Sequence, residues 1–184
     1  MDGILKIKFA RRPAARKDVN PMGKEKINLL IVDDEEQFLE SIKKRLEVRD
    51  FNVVAVNRGE KAIEAAREHT IDIALVDLKM PGMDGDETLA ALKKEHKWME
   101  VVILTGHGSV DSAVKTAQAG AYNYLQKPCD LDTLIEVLTA AYKKRVMNKT
   151  KIEEDKMDEF LKAAETGSPM GILKKLRELE SKGS

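Results

Sequence analysis

Several things are scarce in this sequence of 184 residues. It has one cysteine, Cys129, so no internal disulfide can form and a reducing, cytoplasmic setting is expected. No apolar run is long enough to span a bilayer, and none has the form of a signal-peptide core, so neither membrane insertion nor secretion is expected. There is no internal repeat and no low-complexity tract. Net charge is absent as well, with 32 Lys and Arg against 32 Asp and Glu, but the balance is local rather than uniform. Residues 1–24 carry seven basic and two acidic side chains, and 143–184 carry eleven and eight. The intervening 25–142 hold fourteen basic and twenty-two acidic residues. An acidic body with basic ends suits a cation site better than a nucleic-acid surface.

The apolar content of 42% is enough for a real core in one ordinary domain with tails. Residues 1–24 mix Arg, Lys, Pro and Ala without sustained periodicity and are expected to be disordered. From residue 27 the pattern alternates. INLLIV (27–32) is a continuous apolar run, as a strand buried on both faces requires, and a helical stripe of Phe38, Leu39, Ile42 and Leu46 follows. NVVAV (52–56) precedes Ala62, Ile63 and Ala66, and IDIALV (71–76) precedes Leu89, Ala90 and Leu92. VVILT (101–105) and YNYLQ (122–126) flank a helix from Val110 to Ala119, with Gly120 as its stop. A last helix begins near Asp130 with Leu131, Leu134, Ile135, Leu138 and Tyr142 at helical spacing. Five strand–helix units with short connections predict an α/β domain over 25–147, a parallel sheet with helices on both faces. Gly and Pro are absent between Asp130 and Gly167, so the last helix is expected to continue into a helical C-terminal tail over 148–184. Ser168 and Pro169 then open a short terminal helix with Ile172, Leu173, Leu176 and Leu179.

Polar residues stand where these apolar strands end. Asp33 and Asp34 follow the first, Asp77 the third, Thr105 closes the fourth and Lys127 follows the fifth. An open parallel sheet places such positions along its carboxyl edge, where ligands bind. Three carboxylates in one pocket repel unless something positive lies among them. A hard divalent cation with oxygen ligands fits, and Mg²⁺ fits best because it needs few protein ligands and keeps its waters. A carboxylate beside such an ion can act as a nucleophile toward phosphorus, while the ion, a lysine and a hydroxyl stabilise the oxygens of the transferring group. Neither His nor Cys stands in this set, so acyl transfer and zinc chemistry lack their residues. Singly, each member has a structural explanation: the acidic run 33–36 as a helix cap, Asp77 as a turn former, Lys127 as a solvated loop residue. Five matched residues at four strand ends are together hard to credit to chance.

The sequence resembles the receiver domain of two-component response regulators over residues 26 to about 147. The likeness rests on LLIVDDE, LVDLKMPGMDG, ILTGHGS and YNYLQKP, and on spacing: 43 residues from Asp34 to Asp77 and 22 from Thr105 to Lys127. The resemblance implies a flavodoxin-like (βα)5 doubly wound sheet in the order 2-1-3-4-5. It implies that Asp77 is the phosphoacceptor, and that Asp34, Asp77 and the backbone carbonyl of Lys79 ligate Mg²⁺, with Asp33 acting mainly through a bound water. Thr105 and Lys127 would hold the phosphoryl oxygens, Tyr124 would change rotamer with Thr105, and the Lys127–Pro128 bond would be cis. Lys79 and His107 occupy the variable positions that flank the acceptor and Thr105. The implied donor is a sensor histidine kinase. The wording LTGHGSVDSAV is closest to receivers placed ahead of sigma-54-dependent activators, but neither an ATPase nor a DNA-binding segment is expected in residues 148–184.

Two alternatives use the same residues differently. A phosphatase of the haloacid-dehalogenase kind also has an Asp nucleophile after a buried strand, but needs a second acid two residues on, where this sequence has Lys79. A DNA-binding regulator would need a reading head in the 35 residues after 149, and ILKKLRELESK mixes charges instead of building a basic recognition helix. The expectation is therefore a stand-alone receiver, a phosphorylation-dependent switch and not an enzyme. It would act through contact with a downstream protein of unknown identity or with a second copy of itself, and not with nucleic acid or membrane. His69 and His96 are read as helix-end residues, Cys129 as an inert loop thiol, and Trp98 as a cover for a core edge.

Overall fold

A computed structural model describes residues 26–166; the expected disorder of 1–24 and the helix proposed after Ser168 lie outside the described residues. The elements alternate in chain order: β1 (Ile27–Val32), α1 (Glu36–Glu47), β2 (Phe51–Val56), α2 (Gly59–Glu68), β3 (Ile73–Val76), α3 (Gly85–Glu95), β4 (Glu100–Thr105), α4 (Val110–Gln118), β5 (Asn123–Gln126) and α5 (Leu131–Thr166). The strands form one parallel sheet in the order β2-β1-β3-β4-β5. This is the flavodoxin-like order that the resemblance implies.

Side-chain alternation along the strands divides the core in two. Leu30, Val32, Ala74, Val76, Val101 and Ile103 point to one face and pack under α2 and α3 through Ala62, Ile63, Ala66, Leu89 and Leu92. Leu29, Ile31, Phe51, Ile73, Leu75 and Leu104 point to the other, under Leu39, Ile42 and Leu46 of α1 and Leu134, Leu138 and Ala141 of α5. β1, β3 and β4 are buried on both faces, which is why their sequences read as unbroken apolar runs. Each fully buried Leu or Ile contributes about 1.5–3 kcal/mol relative to exposure, so this central sheet is the rigid frame of the molecule.

The helices differ in how firmly they are held. In α3, Ala90 is exposed, and Thr88 takes the buried position expected of it, with its hydroxyl donating to the Asp84 carbonyl at 2.7 Å. In α4 only Thr116 is buried, while Val110 and Val114 are 81% and 50% exposed. Its start is secured locally, by a capping box in which the Ser109 hydroxyl accepts from the Ser112 backbone N–H and Ser112 answers toward the Ser109 N–H. Gly120, at φ +92°, turns the chain out of α4 in a conformation that favours glycine, as its place as a stop implies.

α5 is one continuous helix of 36 residues, about 54 Å long at 1.5 Å per residue. It crosses the sheet and is tied to the amino edge by ion pairs. Arg145 meets Asp72 at 2.9 Å, and Lys144 with Lys93 flanks Glu100 at 3.5 and 3.6 Å. Asp72 and Glu100 are both buried, and the second Asp72 oxygen accepts from the Asn28 backbone N–H. Trp98 is half-buried and lines a cleft of about 580 Å³ with Asn148, Lys151 and Ile152 of α5, apart from both core clusters, so the expected cover of a core edge is not what it provides.

Candidate functional site

Strand register decides which side chains meet. Val32 pairs with Val76, so the residues that follow them, Asp33 and Asp77, leave the sheet side by side; the Asp77 backbone N–H donates to the Val32 carbonyl. Val76 pairs with Ile103, which sets Thr105 at the end of the neighbouring strand, and Thr105 pairs with Gln126. The Lys127 N–H then donates to the Thr105 carbonyl. All of these groups come to the carboxyl edge, near the crossing from β1 to β3 where the chain reverses its winding.

Asp33 and Asp77 are buried, Asp34 is exposed, and one oxygen from each lies within 4.8 Å of the others. Asp33 is held by both oxygens: Oδ1 accepts from the Glu35 backbone N–H at 3.0 Å and Oδ2 from the Lys127 ammonium at 2.6 Å. The acidic run thus caps its own turn from Asp33, while the N-cap of α1, Glu35, makes no side-chain cap. Burial raises the Asp33 carboxyl above its ordinary range; the Lys127 and Glu35 hydrogen bonds oppose the rise and the Asp77 charge adds to it. Burial works to lower the Lys127 ammonium, but its hydrogen bonds to Asp33 and Glu35 outweigh that and hold it above the ordinary lysine value. Lys127 also reaches Glu35 at 2.9 Å and lies 4.2 Å from the Phe38 ring centroid. The Lys127–Pro128 peptide is cis.

The Asp77 carboxylate accepts from the Leu78 N–H at 2.8 Å. Behind it stands Gly85, where an added Cβ would fall inside contact distance of the Asp77 carbonyl and the Leu78 backbone. Only glycine permits that approach, and the Gly85 N–H donates back to Leu78. Lys79 lies two residues past Asp77 with its side chain exposed. Thr105 is fully buried, its hydroxyl accepting from the His107 N–H at 3.2 Å. Tyr124 packs against the α2–α3 side of the core, and its hydroxyl is 3.1 Å from the Ser112 hydroxyl of α4. Of the remaining side chains singled out from sequence, His69 and His96 form the C-caps of α2 and α3. Burial, with Asp130 nearby, pushes the Cys129 thiol up, away from a reactive thiolate.

Glu35 and Gly85 were not singled out from sequence. LLIVDDE shows Glu35 only as a third acid, and its approach to Lys127 spans 92 residues. Gly85 carried a usable signal, since a glycine opening a helix after an Asp cap marks a close approach.

The donor set suits a hard cation: three carboxylates converge, with neither sulfur nor imidazole among them. Fold and site together define a doubly wound α/β protein with an acidic, lysine-closed pocket at the carboxyl edge of its sheet. Residues 29–139 match the family model described as response regulator receiver domain, and the chain belongs to that family. Among curated relatives, "Transcriptional regulatory protein ZraR" of Klebsiella oxytoca is 33% identical over 139 residues, 76% of this chain and 31% of that protein. "DNA-binding transcriptional regulator NtrC" of Escherichia coli strain K12 is 33% identical over 111 residues, 60% of this chain and 24% of that protein. The chain therefore spans about a quarter to a third of the length of these relatives. Among solved structures, a CheY-like receiver domain protein from Methanospirillum hungatei JF-1 aligns with TM-score 0.65 at 28% identity, covering 67% of this chain and 98% of that one. A receiver domain protein from Clostridium thermocellum aligns with TM-score 0.63 at 32% identity over 66% and 98%. No helix among the described residues is long and apolar enough to cross a membrane.

Proposed function

We propose that this receiver domain is a cytoplasmic phosphorylation-dependent switch whose acceptor is Asp77. The observation that supports this reading best is the convergence of Asp33, Asp34 and Asp77 within 4.8 Å beside a lysine already drawn into the pocket. Asp77 Oδ attacks the phosphorus of a phosphohistidine on a sensor kinase; the new P–O bond forms as the P–N bond breaks, and the departing imidazole takes up a proton. Asp34, Asp77 and the Lys79 carbonyl would hold Mg²⁺, with Asp33 bridging through water, and the ion when bound neutralises charge on the phosphoryl oxygens. Lys127 and the Thr105 hydroxyl bind the remaining oxygens. Asp77 is consumed by the transfer and regenerated by hydrolysis, so the protein takes part in its own phosphorylation without turning over a separate substrate.

Drawn toward the phosphoryl group, Thr105 would give up the His107 N–H, and Tyr124, which rests on Ser112, would change rotamer with it and shift the loosely packed α4. The output is a shift between two states of the α4–β5 face, read by a partner protein or a second copy of the chain. Residues 148–184, of which α5 is described as far as Thr166, serve contact and not DNA recognition. The test is fluorine NMR of beryllofluoride with the full chain. A bound signal in wild type with Mg²⁺ that disappears with chelator, and in Asp77→Asn, supports the reading. A bound signal that persists in Asp77→Asn contradicts it.

A further inference from the structure

The ammonium of Lys127 has three hydrogens and three close neighbours: Asp33 Oδ2 at 2.6 Å, Glu35 Oε1 at 2.9 Å, and the Phe38 ring, whose centroid lies at 4.2 Å. A phosphoryl oxygen on Asp77 therefore competes with these partners for the ammonium. The three partners are not equally easy to release. Asp33 is 2% exposed, and stripping its carboxylate of the lysine leaves a buried charge uncompensated. The Glu35 side chain is 65% exposed, so water replaces the lysine at little cost. Glu35 is also fixed where it stands, since its backbone N–H donates to Asp33 and its residue is the N-cap of α1.

We propose that Glu35 is the resting-state partner of Lys127, a positioning residue that competes with the incoming phosphoryl group for the ammonium and sets how readily Asp77 accepts it. This rests on Asp77 being the acceptor. Upon transfer Lys127 keeps Asp33 and exchanges Glu35 for a phosphoryl oxygen, and the Glu35 carboxylate is released to water at the head of α1. No bond beyond the transfer itself is made or broken; the exchange is one of hydrogen bonds.

The experiment measures the rate of phosphorylation by acetyl phosphate at saturating Mg²⁺, by intact mass, in the full chain. Glu35→Gln turns the ion pair into a weaker ammonium–amide hydrogen bond, and loss of an exposed ion pair of this kind corresponds to about a three-fold faster uptake. Removing an acidic group near an anionic donor also speeds uptake through general electrostatics, so two controls separate the effects. Glu35→Asp keeps the charge but shortens the reach to Lys127, and is expected to be faster than wild type as well. In a Lys127→Ala background the Glu35→Gln change is expected to lose most of its effect. Equal rates for wild type, Glu35→Gln and Glu35→Asp overturn the proposal while leaving Asp77 as acceptor. So does an equal gain with and without Lys127. If Asp77→Asn takes up phosphoryl as wild type does, the underlying reading fails, and this inference fails with it.

Discussion

Individual residues at the pocket are held by opposing demands. Asp33 is buried as an anion, and Lys127 is the cation that makes its burial tolerable. Asp34, one residue on, faces solvent and is free to offer its oxygens. This division predicts separable effects. Millimolar Mg²⁺ should raise the melting temperature of the wild-type chain, by mass action on the native state, and should leave Asp34→Ala unmoved. Equal shifts in both proteins would remove Asp34 from the cation site. Gly85 makes a second prediction at this scale. Its Cβ position is filled by backbone, which cannot rotate away, so Gly85→Ala is expected to cost about 1–3 kcal/mol in denaturant unfolding and to displace the Asp77 segment.

The elements are tied down very unequally. α1, α2, α3 and the first part of α5 bury apolar stripes against the sheet, whereas α4 buries only Thr116 and relies on its own cap. Ser109→Ala should therefore cost about 1 kcal/mol of local stability and speed amide exchange in α4 about five-fold, with α3 unchanged. An α4 as protected as before would show that the helix is held by packing. α5 is secured differently, through Arg145 on the buried Asp72. Arg145→Ala leaves that carboxylate with one backbone donor and is expected to destabilise the fold by roughly 1–3 kcal/mol in the same unfolding assay. β1, β3 and β4 were legible in the sequence because burial on both faces leaves apolar runs, and β1 coincides with INLLIV. β3 starts two residues later than its apolar pattern, because Asp72 turns to Asn28 and Arg145 before pairing with β1 begins at Ile73. In α3 the periodicity misled at Ala90, since Thr88, bonded back to its own helix, buries as well as an apolar residue does. The pairs at the amino edge left no local signature. Asp72 and Arg145 are far apart in sequence, and charge alone does not say which acids are buried.

For the whole molecule, the sheet is a rigid frame with chemistry gathered at its carboxyl edge and the departing helix clamped at the other. The clamp residues Lys144 and Arg145 precede position 150. Deleting 150–184 should accordingly change the melting temperature by no more than a few degrees and leave beryllofluoride binding intact. Contact with a partner or a second copy is the property expected to be lost, visible as a change in solution mass. A truncated protein with unchanged mass and partners would reduce the tail to a solubilising appendage. The central claim concerns Asp77, and intact-mass analysis after incubation with acetyl phosphate and Mg²⁺ tests it most directly. A single phosphoryl addition in wild type, absent from Asp77→Asn and absent without Mg²⁺, is the predicted result; an undiminished addition in Asp77→Asn would contradict it.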